Sequence, residues 1–166
     1  VHDDVQDGDR LRRDQPTLWT LVGAPQAINV GDALLVAPLA HMARSPDVPA
    51  GLRAPLTALL ADALLETLAG QVADLAVHGR TPTLAEVRAV HIGKTAPLFG
   101  ACVAGVGLLL GRTLDASQLA ADLGLAFQIR DDVLDVLGRK GRGQPGADLR
   151  EGKPTWPLLV ADRKST

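Results

Sequence analysis

Two short acidic clusters carry the strongest chemical signal in this chain: DDVQD at residues 3–7 and DDVLD at residues 131–135. Residues four apart on a helix share a face, with Cβ atoms roughly 5–6 Å apart, and like charges there repel. Three carboxylates within five positions therefore cost stability unless a cation bridges them. An all-oxygen donor set with room for water suits Mg²⁺ better than zinc. The bland reading is a solvated acidic face. The repetition weighs against it, because even with 16 Asp in 166 residues two such clusters are not a chance expectation.

Each cluster is followed by cations. Arg10, Arg12 and Arg13 follow the first; Arg139, Lys140, Arg142, Arg150 and Lys153 follow the second, against Asp148 and Glu151. Carboxylates holding Mg²⁺ beside Arg and Lys make a site for a phosphate group that bridges both. A pattern of surface salt bridges is the competing reading. Two further polar pairs interrupt apolar surroundings: Gln71 with Asp74 on a Leu-rich stripe, and Lys94 with Thr95 opening an apolar helix. An unpaired buried amide is costly, and a helix N-terminus favours anions. A satisfied core Gln and a snorkelling Lys are the alternatives there.

The elements that must position these side chains read as helices. Leu52, Leu56, Leu59, Leu60, Ala63, Leu64, Leu68, Val72 and Leu75 recur on one helix face. Thr83 with Glu86 is a capping box opening a short helix, and Asp115 with Gln118 opens another that runs to about Gly138. Pro25 starts a helix that Pro38 kinks and Ser45-Pro46 ends. On the helix after Asp115, Gln128, Asp131, Asp132 and Asp135 share one side, while Arg130 falls on the apolar side. Residues 8–24 and 139–152 read as loops, and no stretch alternates long enough for a sheet. The 17 uncharged residues from Thr95 to Gly111 fall short of the roughly 20 that span a bilayer, and predict a fully buried core helix.

Composition bounds the rest. At 46% apolar and net charge −2, the chain is one domain with a core, neither a disordered tail nor a broad nucleic-acid surface. A single cysteine excludes a disulfide framework, fits a reducing compartment and reads as a small core residue. Acidic residues at once argue against a signal peptide, and a start inside a motif reads as a fragment. Gly93-Lys94-Thr95 lacks the glycine a P-loop needs at position 88, and Gly105, Gly107 and Gly111 miss the dinucleotide spacing. His2, His41, His78, His91 and Cys102 share no metal-ligand spacing.

These motifs, taken in order, resemble the trans-isoprenyl diphosphate synthases of the polyprenyl synthetase family. HDDVQDGDRLRRDQPTLW, PQAINVGDALL, GQVAD at 70–74, GKT at 93–95, FQIRDDVLDVLG at 127–138 and GADLREGKPTWPLL at 146–159 extend the likeness over essentially the whole chain. The resemblance implies one partial domain over residues 1–166, an incomplete all-α helical bundle of the isoprenoid synthase type. It implies Mg²⁺ held by Asp3, Asp4 and Asp7 on one side and by Asp131, Asp132 and Asp135 on the other. Asp3, Asp7, Asp131 and Lys94 would be catalytic. Arg12, Lys94, Thr95, Gln128 and Lys153 would hold an allylic diphosphate, and Arg13 the diphosphate of isopentenyl diphosphate.

The implied activity joins those two substrates into a longer all-trans prenyl diphosphate, geranylgeranyl or longer. The implied setting is a cytoplasmic homodimer when full length, with no nucleic acid and no membrane span. Gly141-Arg142-Gly143 replaces the family's usual Gly-Lys pair, so Arg142 or Lys140 would stand in for that lysine. The family's early helices and basic C-terminus are missing, so residues 1–166 alone are expected to be inactive. A class I terpene cyclase and a non-catalytic synthase subunit are the rival readings. A cyclase usually carries an Asn/Ser/Glu motif on the later helix, and such subunits tend to lose one Asp cluster; Asp131, Asp132 and Asp135 favour chain elongation.

Overall fold

The computed structural model describes residues 1–138 and 145–163; Arg139, Lys140 and Arg142 lie outside the described residues. Among the described residues the regular elements are helices apart from one small hairpin. In order come α1 (His2–Gln6), β1 (Leu11–Arg12), β2 (Gln15–Pro16), α2 (Leu18–Val22), α3 (Ala24–Arg44) and α4 (Ala50–Val77). Then follow α5 (Leu84–Leu109), α6 (Ser117–Val136), α7 (Ala147–Arg150) and α8 (Trp156–Arg163).

The central element is α5, which packs against α4 on one side and α6 on the other. Its start is the capping box: the Thr83 hydroxyl accepts from the Glu86 amide, and the Glu86 carboxylate accepts from the Thr83 amide at 2.7 Å. From there the helix continues unbroken to Leu109. The expectation of a short helix followed by a new one opening at Lys94 is therefore corrected. Lys94 and Thr95 sit mid-helix, where no free backbone amides favour an anion.

Two close crossings lock α4, α5 and α6 together. A methyl group on Gly70 of α4 would lie 2.3 Å from the carbonyl carbon of Gly93 in α5, so the two backbones touch there. Pro97 cannot donate to the Gly93 carbonyl as a normal fourth residue would, and that same carbonyl faces Gly70. A methyl on Gly124 of α6 would come 2.8 Å from the Ala96 nitrogen. The buried apolar set is correspondingly small in volume: Ala27, Leu56, Ala63, Val77, Val87, Val90, Ala96, Ala116, Ala120 and Ala147.

Much of the remaining apolar surface faces outward. Leu65 and Val72 on α4 are 65% and 68% exposed, and Val106 and Leu109 on α5 are likewise exposed. The expected full burial of residues 95–111 is not realised, because α4 and α6 cover only part of the circumference of α5. Cys102, expected in the core, is exposed on that outer face. Both α4 and α5 are long and apolar enough to cross a bilayer by length and composition, a test that bundle core helices also pass.

Residues 8–24, expected as a loop, contain the hairpin and α2. Arg12 pairs with Gln15 and Leu11 with Pro16, leaving Arg13 and Asp14 as a two-residue turn with φ of 54° and 61°. Positive φ at both central positions is what a tight hairpin requires, and most side chains resist it.

Three substitutions, each read by urea titration, check this packing and turn geometry. Gly70→Ala should lower the unfolding free energy by about 1–3 kcal/mol through overpacking at the α4–α5 crossing. Gly51→Ala, with nothing within 4 Å of the added methyl, should be neutral or slightly stabilising in the same urea titration. Asp14→Gly should gain about 0.5–1 kcal/mol by relieving the turn.

Candidate active site

A cavity of about 540 Å³ opens where these elements converge, and its wall is strongly polar. Asp3 and Asp7 reach it from α1, Arg12 and Arg13 from the hairpin, and Asp74 and His78 from the end of α4. His91 and Lys94 come from α5, and Phe127, Gln128, Arg130, Asp131, Asp132 and Leu134 from α6. Asp148, Lys153, Pro154 and Thr155 complete it. Six carboxylates thus face five permanent cations, which makes the wall close to neutral as well as densely charged.

Three of the cations, Arg12, Lys94 and Lys153, are held by carboxylates from other elements. Arg12 donates to Asp4 at 2.5 Å and to Asp3 at 3.2 Å, fixing the hairpin to α1. Gln71 donates to Asp3 at 3.1 Å and to Gln6 at 2.9 Å, so the amide on the Leu-rich stripe is satisfied across α4 and α1. Lys94 donates to Asp74 at 2.7 Å, one turn beyond Gln71 on the same helix. Lys153 lies 2.8 Å from Asp7 and 3.0 Å from Glu151. The basic residue that follows the second acidic cluster therefore neutralises the first.

Protonation follows from this wiring. Burial alone would push the Asp3 carboxyl up, but Lys94, Arg12 and Lys153 together hold it below the ordinary range. Burial would likewise lower the Lys153 ammonium, yet Asp7 and Glu151 raise it above its usual value. Both groups are charged at neutral pH. His91 behaves differently: burial drives it down to about 4, with Asp74 opposing and Lys94 assisting, so its ring is neutral.

The second acidic cluster does not act as a single stripe. Asp131 lines the cavity. Asp132 accepts the Trp156 backbone amide at 2.8 Å and lies 3.3 Å from His91 Nε2. Asp135 is 1% exposed and accepts the Asp148 amide at 3.0 Å, tying α6 to α7. Of the site residues expected from sequence, Asp3, Asp7, Asp131, Asp132, Arg12, Arg13, Lys94, Gln128 and Lys153 share the cavity wall. Asp4, Asp135 and Thr95 do not. Asp4 stands behind Arg12, Asp135 is turned into the α6–α7 contact, and the Thr95 hydroxyl accepts from Gln128 at 2.6 Å.

Several cavity residues were not singled out from sequence. Arg130, placed on the apolar side of its helix, reaches the rim. His78, His91 and Thr155 have no motif spacing to betray them. The one available signal was that His91 and Lys94 stand three apart and so share a face of α5.

The donor set fits a hard divalent ion, being carboxylate oxygen throughout. Among the described residues no three acidic, His or Cys side chains converge closely enough to cage one alone.

Comparison with known proteins extends this description. A family model described as polyprenyl synthetase matches residues 1–166. A farnesyl diphosphate synthase of Geobacillus stearothermophilus is 38% identical, covering 97% of this chain and 58% of that protein. A geranylgeranyl diphosphate synthase of Mycobacterium tuberculosis is 36% identical over 97% of the chain and 47% of its own length. A polyprenyl synthase of Caulobacter crescentus, solved with calcium and isoprenyl diphosphate, superposes with a TM-score of 0.77 at 31% identity. That match covers 99% of this chain and 50% of the other. The chain thus spans about half the length of the relatives it matches. With the all-α architecture and both acidic clusters accounted for, this chain belongs to the polyprenyl synthetase family.

Proposed function

We propose that the protein carrying this chain is a trans-prenyltransferase that joins isopentenyl diphosphate to an allylic diphosphate. The observation that carries the reading is the meeting of both acidic clusters, from opposite ends of the sequence, with Arg12, Arg13, Lys94 and Lys153 in one cavity. Such a wall suits a ligand that is itself an anion accompanied by cations. The relatives' names, farnesyl and geranylgeranyl diphosphate synthase, agree on the reaction class and differ in product length.

In this reading Asp3, Asp7, Asp131 and Asp132 would hold Mg²⁺ together with the diphosphate. Asp4 and Asp135 serve from behind, as anchors of Arg12 and α7. Bound Mg²⁺ supplies Lewis-acid neutralisation of the leaving diphosphate. Lys94, Gln128, Arg12 and Lys153 bind the allylic diphosphate as its C–O bond lengthens, and Thr95 sets the orientation of Gln128. Arg13 takes the second diphosphate, positioned by the tight hairpin turn. The double bond of isopentenyl diphosphate then attacks the allylic carbocation, and the released pyrophosphate accepts the proton. No side chain acts as a nucleophile. Charge placed in advance where it develops provides the rate gain.

The product is an all-trans prenyl diphosphate of geranylgeranyl length or longer, made in the cytoplasm. Exposed apolar faces such as that of Leu65 and Val72 support further packing partners, including a second subunit. Residues 1–166 alone, with those faces open, bind a diphosphate without elongating it.

Two experiments test the reading. Asp131→Asn in the complete protein should lower turnover by at least 100-fold in a radiolabelled elongation assay while thermal melting is held; Asp3→Asn should lower turnover as much with a modest fall in melting temperature, because the Arg12 ion pair is lost. A sharp fall in melting temperature with activity kept would make the carboxylates structural. Calorimetry should show Mg²⁺ binding weakly alone and markedly tighter once a bisphosphonate is present, since Mg²⁺ takes substrate phosphate oxygens as ligands. Equal affinity in both conditions contradicts the arrangement.

A further inference from the structure

His91 is among the cavity residues to which the proposed reaction gives no role. It is 7% exposed, its Nε2 lies 3.3 Å from Asp132 Oδ2, and its Nδ1 is buried with no hydrogen-bond partner among the described residues. The same Asp132 oxygen accepts the backbone amide of Trp156, the first residue of α8. The first amides of a helix have no partner within it, so Asp132 caps α8 from a different helix. The Trp156 indole packs back on the imidazole, with ring centroids 6.2 Å apart at 56°. Three elements, α5, α6 and α8, therefore meet at one imidazole.

The neighbours of this junction matter. Asp131 directly precedes Asp132, and Lys153 lies three residues before Trp156; both line the cavity. A shift of Asp132 would move the two together.

We infer that His91 is a positioning residue: its Nε2–H holds Asp132 in the orientation that caps α8, and so fixes Asp131 and Lys153 toward the cavity. The Asp132 carboxylate beside Nε2 accepts rather than donates, so that nitrogen carries a ring proton. In the neutral ring Nδ1 is then a bare acceptor, which matches its lack of a donor among the described residues. A ring present merely to fill space would have no preferred tautomer and no bearing on the cap. The effect on ligand binding rests on the function proposed above; the tautomer and the cap do not.

The test uses ¹⁵N NMR on this chain with calorimetry using Mg²⁺ and a bisphosphonate. The expected ring is the Nε2–H tautomer, and Asp132→Asn should shift it toward a mixture. His91→Leu should speed amide exchange at Trp156 by more than 10-fold and weaken bisphosphonate affinity by 10- to 100-fold, the range typical of residues behind a metal ligand. His91→Gln, which can still offer an N–H to Asp132, should recover affinity to within about 3-fold. An Nδ1–H tautomer, or a folded His91→Leu chain with unchanged Trp156 exchange, overturns the inference. If His91→Leu does not fold, the tautomer and the Gln variant decide. Failure of the wild-type chain to bind the bisphosphonate would defeat the proposed function instead, and leave the tautomer and exchange results to judge His91.

Discussion

Everything in this molecule depends on how closely α4 and α5 approach at Gly70 and Gly93. With any side chain at Gly70 the helices would have to separate, and the residues flanking the crossing would lose one another. Those flanking residues are Gln71 and Lys94. The first reaches Asp3 and Gln6 on α1, and the second reaches Asp74 back on α4. A backbone contact between two glycines thus sets the separation at which a short acidic helix can be seated beside two long apolar ones. The second crossing, Gly124 on Ala96, repeats the device and brings Gln128 to Thr95.

Close packing of this kind leaves little volume for a conventional core, and the interior is instead unusually acidic. Asp4, Asp9, Asp132, Asp135 and Asp148 are all buried. Burying a carboxylate is costly unless it is paired or accepts hydrogen bonds. Three of the five satisfy some other element: Asp4 the hairpin arginine, Asp132 the first amide of α8, Asp135 the amide of Asp148. Asp, with its short side chain, suits these contacts better than Glu would, because it can cap a backbone amide without needing space to bend. Such contacts favour Asp in a chain that has 16 Asp and three Glu.

The sequence made the helices legible wherever periodicity or a cap was strong. The α5 start at Thr83, the α3 segment with its internal Pro38, and the α6 span were all readable in advance. So were the residues of the cavity wall that carry charge within motifs. What stayed hidden was set by partners distant along the chain. Wheel geometry placed Asp131, Asp132 and Asp135 together, yet α7 and α8 draw two of the three into backbone contacts. The hairpin was invisible because Arg13 and Asp14 are not residues that announce a tight turn. The outward face of α5 was misjudged because apolar composition records affinity for a neighbour, not whether one is present. His91 carries no motif at all; only the fold gives it company.

The pairing of Lys153 with Asp7, and of Arg12 with Asp3 and Asp4, carries a consequence for selectivity. A lone phosphate that binds Arg12 or Lys153 pulls that cation off its carboxylate, and a lone metal ion at Asp3 or Asp7 evicts a cation from one. Either event trades one ion pair for another and strands a charge in a partly dry site. When anion and cations arrive together, each displaced group finds a new counterion, as in a double-displacement exchange of salts. Linkage then requires that each species strengthen the binding of the other by the same factor. The resting salt bridges thereby act as a filter that favours the complete ion complex over its components.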